Sequence, residues 1–282
     1  MDNTVLKNGV SMPMLGFGVL QIKDPAKCRR CVREALEAGY RMFDTAAAYE
    51  NEEAVGAALK EAMEEGMVKR EELFVITKLW LKDAGEATAE KAFDASRKRL
   101  GLDTIDLYLV HQPYSDYYGA WRALEKLYRE GKIRALGVSN FSPERLTDLC
   151  LNSSIPPMVN QVELHPFYQQ ERALATMKEL GVQPQAWGPL CEGLRNIFRN
   201  KILEKTGKKY GKTAAQTALR WNLDRGVSVL TRSTKAEHMK EDFALWDFQL
   251  TEADRKTISG LDLGHSEILD YQNPCIARMF NR

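Results

Sequence analysis

The stretch Gly39-Tyr40-Arg41-Met42-Phe43-Asp44-Thr45-Ala46-Ala47-Ala48-Tyr49-Glu50-Asn51-Glu52 contains the unit from which the rest of the chain is built. The apolar run at 40–43 predicts a short strand, Asp44 closes it, the alanines let the backbone turn, and a helix is expected to begin near Asn51. A carboxylate thus ends the strand, and a phenol, Tyr49, follows five residues later on the same rim.

Outward from this unit the same alternation recurs. Further strands are predicted near 15–19, 73–78, 105–111, 133–138, 158–163, 183–187 and 227–231. Helices are predicted near 25–38, 51–64, 86–100, 118–130, 143–151, 171–180 and 213–224, each with apolar residues at three- and four-residue spacing. Asp24-Pro25 opens the first helix and Gly39 stops it. Strict alternation implies a parallel sheet, and eight units in 282 residues favour a closed (β/α)8 TIM barrel. An open doubly wound sheet would carry a Gly-rich dinucleotide fingerprint, and Gly16-Phe17-Gly18-Val19-Leu20-Gln21 lacks its third glycine. Asn8-Gly9 predicts an N-terminal β-hairpin ahead of the barrel. No composition break marks a linker, so 1–282 is read as one domain.

With 44% hydrophobic and 28% charged residues and a formal charge of +1, the chain is balanced, which argues against a nucleic-acid or membrane-surface protein. The start lacks a signal-peptide pattern and no apolar run is long enough to span a bilayer, so a cytoplasmic monomer is the expectation. Five scattered cysteines do not form a disulfide framework. Cys28 and Cys31 form a C-x-x-C without a second pair or nearby histidine, and read as thiols on a helix. A second decoy, Gly207-Lys208-Lys209-Tyr210-Gly211-Lys212-Thr213, has three residues between its glycines where a phosphate loop needs four. It reads as a loop whose Thr213 caps the next helix.

Two other strand ends carry titratable groups, Lys78 and His111. Singly, each has an ordinary reading: an Asp before small residues forms a turn, a strand-end Lys is solvated, and a lone His is structural. In a barrel, however, strand C-termini converge on one face, which brings Asp44, Lys78 and His111 beside Tyr49. A phenol ionises near pH ~10, so a tyrosine that donates a proton at neutral pH needs a neighbouring cation. Lys78 offers one.

Six segments in order carry a resemblance: GYRMFDTAAAYENEEAVGAAL (39–59), ITKLW (76–80), DLYLVHQP (106–113), GKIRALGVSNF (131–141), NQVELHPF (160–167) and AAQTALRW (214–221). From Gly9 to about Leu250 the chain resembles the aldo-keto reductases, notably bacterial reductases of aldehydes and 2,5-diketo-D-gluconate. The resemblance implies reversible hydride transfer to an aldehyde or ketone, with no metal. It assigns Tyr49 as general acid, Lys78, held charged by Asp44, to lower the phenol's pKa, and His111 to bond the same oxygen.

Ser139, Asn140 and Gln161 both donate and accept, which suits a carboxamide. By resemblance they hold the nicotinamide amide, and Trp187, where many relatives have tyrosine, stacks on the ring. Gly188 stands where relatives often have serine, so the backbone from Gly188 to Leu190 is expected to serve the pyrophosphate. The segment 229–243 aligns with the family's 2′-phosphate and adenine site, giving Arg232, Ser233, His238, Glu241 and Asp242. Arg232 can grip a phosphate with its planar fork. His238, where relatives have arginine, is largely neutral at pH 7, and Asp242 replaces an asparagine. NADP(H) is therefore the expected cofactor, with NAD(H) as a second one.

Leu20, Trp80, Gln112 and Tyr114 follow strand ends and are candidates for the substrate pocket, under a C-terminal tail at 265–282. Small aldehydes, 2-oxoaldehydes such as methylglyoxal, and keto-sugar acids are the candidate substrates. Two other classes compete: a non-catalytic nicotinamide-binding sensor or subunit, and an unrelated barrel enzyme such as an aldolase using Lys78 as a Schiff base. Intact catalytic positions argue against the first; the second predicts acidic metal ligands or a Schiff-base lysine at several strand ends, and Lys78 alone could serve the latter role.

Overall fold

The signals that open and close the first helix are used as read. Asp24 accepts from the Lys27 amide, Pro25 begins the helix Pro25–Ala38, and Gly39 at φ 108° ends it, its N–H on the Ala35 and Leu36 carbonyls. The computed structural model describes residues 2–281.

Eight strands follow one another around a closed parallel barrel: β1 (Leu15–Gly18), β2 (Met42–Asp44), β3 (Phe74–Leu79), β4 (Ile105–Val110), β5 (Ile133–Ser139), β6 (Val159–Glu163), β7 (Gln183–Trp187) and β8 (Ser228–Thr231). Strand β8 pairs with β1, which closes the ring. The hairpin of Asn3–Val5 and Ser11–Pro13 plugs the opposite end, where Leu6 and Met12 pack on inward-facing Met42, Ile76, Leu107 and Leu109. Each such side chain fully buried contributes roughly 1.5–3 kcal/mol.

Alternation along the strands decides what faces inward. Phe43, between Met42 and Asp44, packs outward in the helix-side core, as Val75 and Tyr108 do. The inward register therefore runs Met42 then Asp44, and Ile76 then Lys78, so the apolar interior gives way to polar groups at the C-terminal ends. Gly16 leaves room for its neighbours: a Cβ there would lie 2.7 Å from the Met42 methyl and 2.8 Å from a Leu230 methyl, so both side chains would have to shift.

The second decoy differs in one respect from the loop expected. Gly207 lies in the last turns of the helix Lys201–Lys208, and a Cβ there would stand 2.5 Å from both the Lys212 carbonyl and the Thr217 hydroxyl. It serves close packing. Thr213 caps the helix Ala214–Asp224, accepting from the Gln216 amide at 3.3 Å. Cys28 and Cys31 are buried on the core side of their helix, and burial pushes the Cys28 thiol up to about 12. Three helices not anticipated from periodicity, Ala236–Phe243, Glu252–Ser259 and Pro274–Phe280, complete the chain. Among the described residues no helix is long and apolar enough to cross a membrane.

Candidate active site

The carboxylate ending β2 and the ammonium near the end of β3 meet inside the barrel. Lys78 Nζ donates to Asp44 Oδ1 at 2.6 Å and to the Thr45 carbonyl at 2.9 Å, and lies 3.3 Å from Tyr49 Oη. Lys78 and Asp44 are 0% and 4% exposed. Breaking such a buried pair from one side typically costs about 3–5 kcal/mol, because the remaining charge stays desolvated.

Tyr49 stands on a single tight turn, Ala47–Tyr49, between β2 and the helix Glu52–Glu64. Buried Asn51 fixes that turn: it accepts from the Thr45 hydroxyl at 2.7 Å and donates to the Val19 and Ile22 carbonyls. The His111 ring meets Tyr49 edge-on at 5.7 Å and Trp80 at 5.1 Å. These side chains border a cavity of about 680 Å³ that also receives Leu20, Gln112, Ser139, Asn140, Gln161, Trp187, Gly188 and Leu190. A second cavity of about 520 Å³ shares Leu190 and Arg232 with it and is bordered by Ser233, His238, Glu241 and Asp242.

Residues 14–262 match the aldo/keto reductase family. The chain belongs to that family. The reductase is 43% identical over 262 residues to the glyoxal reductase of Bacillus subtilis, covering 93% of each chain. It is 44% identical over 259 residues to the 9,11-endoperoxide prostaglandin H2 reductase of Trypanosoma cruzi, covering 91% of this chain and 90% of that one. The crystal structure of a Bombyx mori aldo-keto reductase in complex with NADP superimposes with a TM-score of 0.91 at 33% identity, covering 95% of each chain.

The electrostatics of this reductase correct one expectation. Lys78 does not bring the Tyr49 phenol below its ordinary pKa in the folded protein. Burial raises it well above 10, and the Asp44 and Glu192 carboxylates push the same way. Burial likewise lowers the Lys78 pKa, with Asp44 opposing the change. The physical reason is that desolvation penalises phenolate more than one partly neutralised ammonium repays. Burial, seconded by Lys78, also drives His111 well below its usual range, so the ring is neutral at pH 7. Its Nδ1 is buried without a partner among the described residues, which leaves Nε2 as the nitrogen open to the cavity.

Sequence reasoning missed what lies beneath Asp44. Gln161 Nε2 donates to Asp44 Oδ2 at 2.9 Å and to Gln185 Oε1 at 2.8 Å, and Gln185 continues to Ser228 Oγ at 3.3 Å. With both amide hydrogens spent, Gln161 presents only its Oε1 to a ligand. Gln185 was legible in principle, two residues before inward-facing Trp187 on β7. Asn140, left-handed at φ 64°, is similarly committed: Nδ2 donates to the His111 carbonyl and Ser139 Oγ, and Oδ1 accepts from the Trp187 indole at 2.8 Å.

Two further carboxylates went unnoticed. Glu163, two residues beyond Gln161 on β6, binds the tail, and Glu192 borders the cavity from the segment 191–199. Tyr114 does not border the cavity. Its hydroxyl turns instead to the tail, donating to the Tyr271 carbonyl at 3.0 Å.

Proposed function

We propose that this aldo-keto reductase reduces small aldehydes and ketones, 2-oxoaldehydes among them, with NADPH as preferred reductant. The observation that carries the reading is the buried Lys78 ammonium, 2.6 Å from Asp44 and 3.3 Å from the oxygen of Tyr49, the two side chains through which it reaches the cavity. The residues present fit a nicotinamide dinucleotide: Ser139, Asn140 and the Gln161 oxygen suit its carboxamide, the Trp187 indole its ring face, and Arg232 a 2′-phosphate. When bound, the reduced nicotinamide supplies the hydride.

The protein's own groups manage the proton and the developing charge. Tyr49, kept protonated by its raised pKa, donates to the carbonyl oxygen. Lys78 stabilises the phenolate left behind, and Asp44 keeps Lys78 charged despite burial. Neutral His111 carries a single N–H, and with the proton on Nε2 it bonds the same oxygen as charge builds there. A donor preorganised in this way typically contributes about 2.7–4 kcal/mol to the transition state. Oxidation of an alcohol runs through the same groups in reverse, with the phenolate accepting the proton. The unpaired cysteines suit a reducing compartment, and a cytoplasmic monomer of one domain is our reading.

Parallel assays of NADPH and NADH consumption with methylglyoxal and an aromatic aldehyde test this. Turnover is expected with both acceptors and faster with NADPH. Absence of both turnover and cofactor-induced quenching of tryptophan fluorescence would refute it.

A further inference from the structure

Of the described tail residues bordering the larger cavity, Ile268, Leu269, Tyr271 and Phe280, only Tyr271 has a polar side chain. Its segment is bolted to the barrel. The buried Glu163 carboxylate accepts from the Ser266 hydroxyl at 2.7 Å and from the backbone amides of Glu267 at 2.9 Å, Ile268 at 3.2 Å and Leu269 at 3.3 Å. Burial pushes the Glu163 pKa up, but bonds from His165, Ser266 and Glu267 outweigh it and hold the group ionised. The Tyr271 carbonyl takes the Tyr114 hydroxyl, and its ring lies parallel to Phe280, interplanar 12° with centroids 6.2 Å apart. Phe280 in turn meets Trp80 edge-on at 5.6 Å.

The polarity of the phenol is set as well. Asn140 Nδ2 approaches Gln112 Oε1 at 3.5 Å, which turns Gln112 Nε2 toward Tyr271 Oη, also at 3.5 Å. An amide N–H can only donate, so the phenol oxygen is the acceptor in that long contact. Its own proton has no protein acceptor among the described residues. Burial keeps that proton in place near neutrality by raising the phenol's pKa.

We propose that Tyr271 is a specificity-determining donor whose O–H bonds a second oxygen, carbonyl or hydroxyl, on the carbon next to the one reduced. This rests on the reductase reading and adds to it the class selected: 2-oxoaldehydes and 2-hydroxyaldehydes over plain aldehydes. The reacting oxygen lies with Tyr49 and His111, while the other described tail residues at the cavity, Ile268, Leu269 and Phe280, offer apolar surface. A substrate without the second oxygen leaves the phenol proton unpaired in a partly dry pocket, the asymmetry by which polar sites discriminate.

The test is Tyr271→Phe, with kcat/KM measured for methylglyoxal and for propanal at saturating NADPH. The ratio of the two values is expected to fall roughly tenfold, chiefly through the KM for methylglyoxal. An unaltered ratio overturns the proposal. Should Tyr271→Phe fail to fold, Tyr114→Phe replaces it: the phenol is retained but its backbone is released, and a smaller fall in the same ratio is expected, with no fall again overturning the proposal. Wild-type turnover of propanal separately carries the reductase reading, and if the wild type reduces neither aldehyde both fall.

Discussion

The two ends of the cleft are built on opposite principles. At the inner end Asp44, Lys78 and Gln161 are buried and each side chain makes two or three hydrogen bonds, through β2, β3, β6 and β7. At the far end Arg232 and His238 are exposed, and neither has an ion-pair or side-chain hydrogen-bond partner among the described residues. A change at the first end leaves a desolvated group unpaired, whereas at the second, water and salt compensate. On the proposed reading, chemistry is locked into the barrel, while the choice between cofactors rests on a few solvated charges.

The largest test of this contrast is Tyr49→Phe. It removes the proton donor but leaves the Asp44 and Lys78 pair closed, so kcat should fall by roughly 10²–10⁴ with folding and NADPH affinity retained. Measured kcat together with fluorescence titration of the cofactor decides it. Retention of a tenth or more of the activity would mean that the proton comes from elsewhere. Next in size is Arg232→Ala at the open end. Charge-assisted bonds of about 1.5–3 kcal/mol to a phosphate translate to a KM for NADPH raised roughly 10–100-fold, with the KM for NADH moving far less. Equal shifts for the two cofactors would remove Arg232 from the 2′-phosphate site and with it the contrast.

The same contrast explains what could be read in advance. The alternation of strand and helix segments and the chemistry at strand ends made the barrel and the meeting of Asp44, Lys78 and His111 legible, because a parallel barrel gives each strand end one destination. Register also pointed to Gln185 and Glu163, yet a polar residue inside a strand has no local signature that separates a network member from a turn. The pKa of Tyr49 was misjudged for a related reason: sequence shows the cation nearby, but desolvation depends on everything packed around it. Glu192 and the tail were least legible. Cys191, Glu192, Arg195 and Asn196 adopt left-handed backbone without being glycine, so no residue type announced that course.

Asp242 gives the smallest effect and the finest probe, since it is a buried carboxylate at the open end. Burial, assisted by the neighbouring Glu241 charge, raises its pKa from 3.8 to about 7. Between those values the folded protein binds more protons than the unfolded chain, so stability falls as pH rises from about 4 to 7 and is level above. Asp242→Asn removes the cost: its Tm should match the wild type near pH 4 and exceed it increasingly up to pH 7. Ionised Asp242 also opposes a 2′-phosphate, so above pH 7 the variant should have a KM for NADPH a few-fold lower, the two proteins converging below about pH 6. Titration of the phosphate itself is common to both and cancels in the ratio. A KM ratio independent of pH would place the Asp242 charge out of reach of the cofactor, leaving Arg232 and His238 as the groups through which this end distinguishes NADPH from NADH.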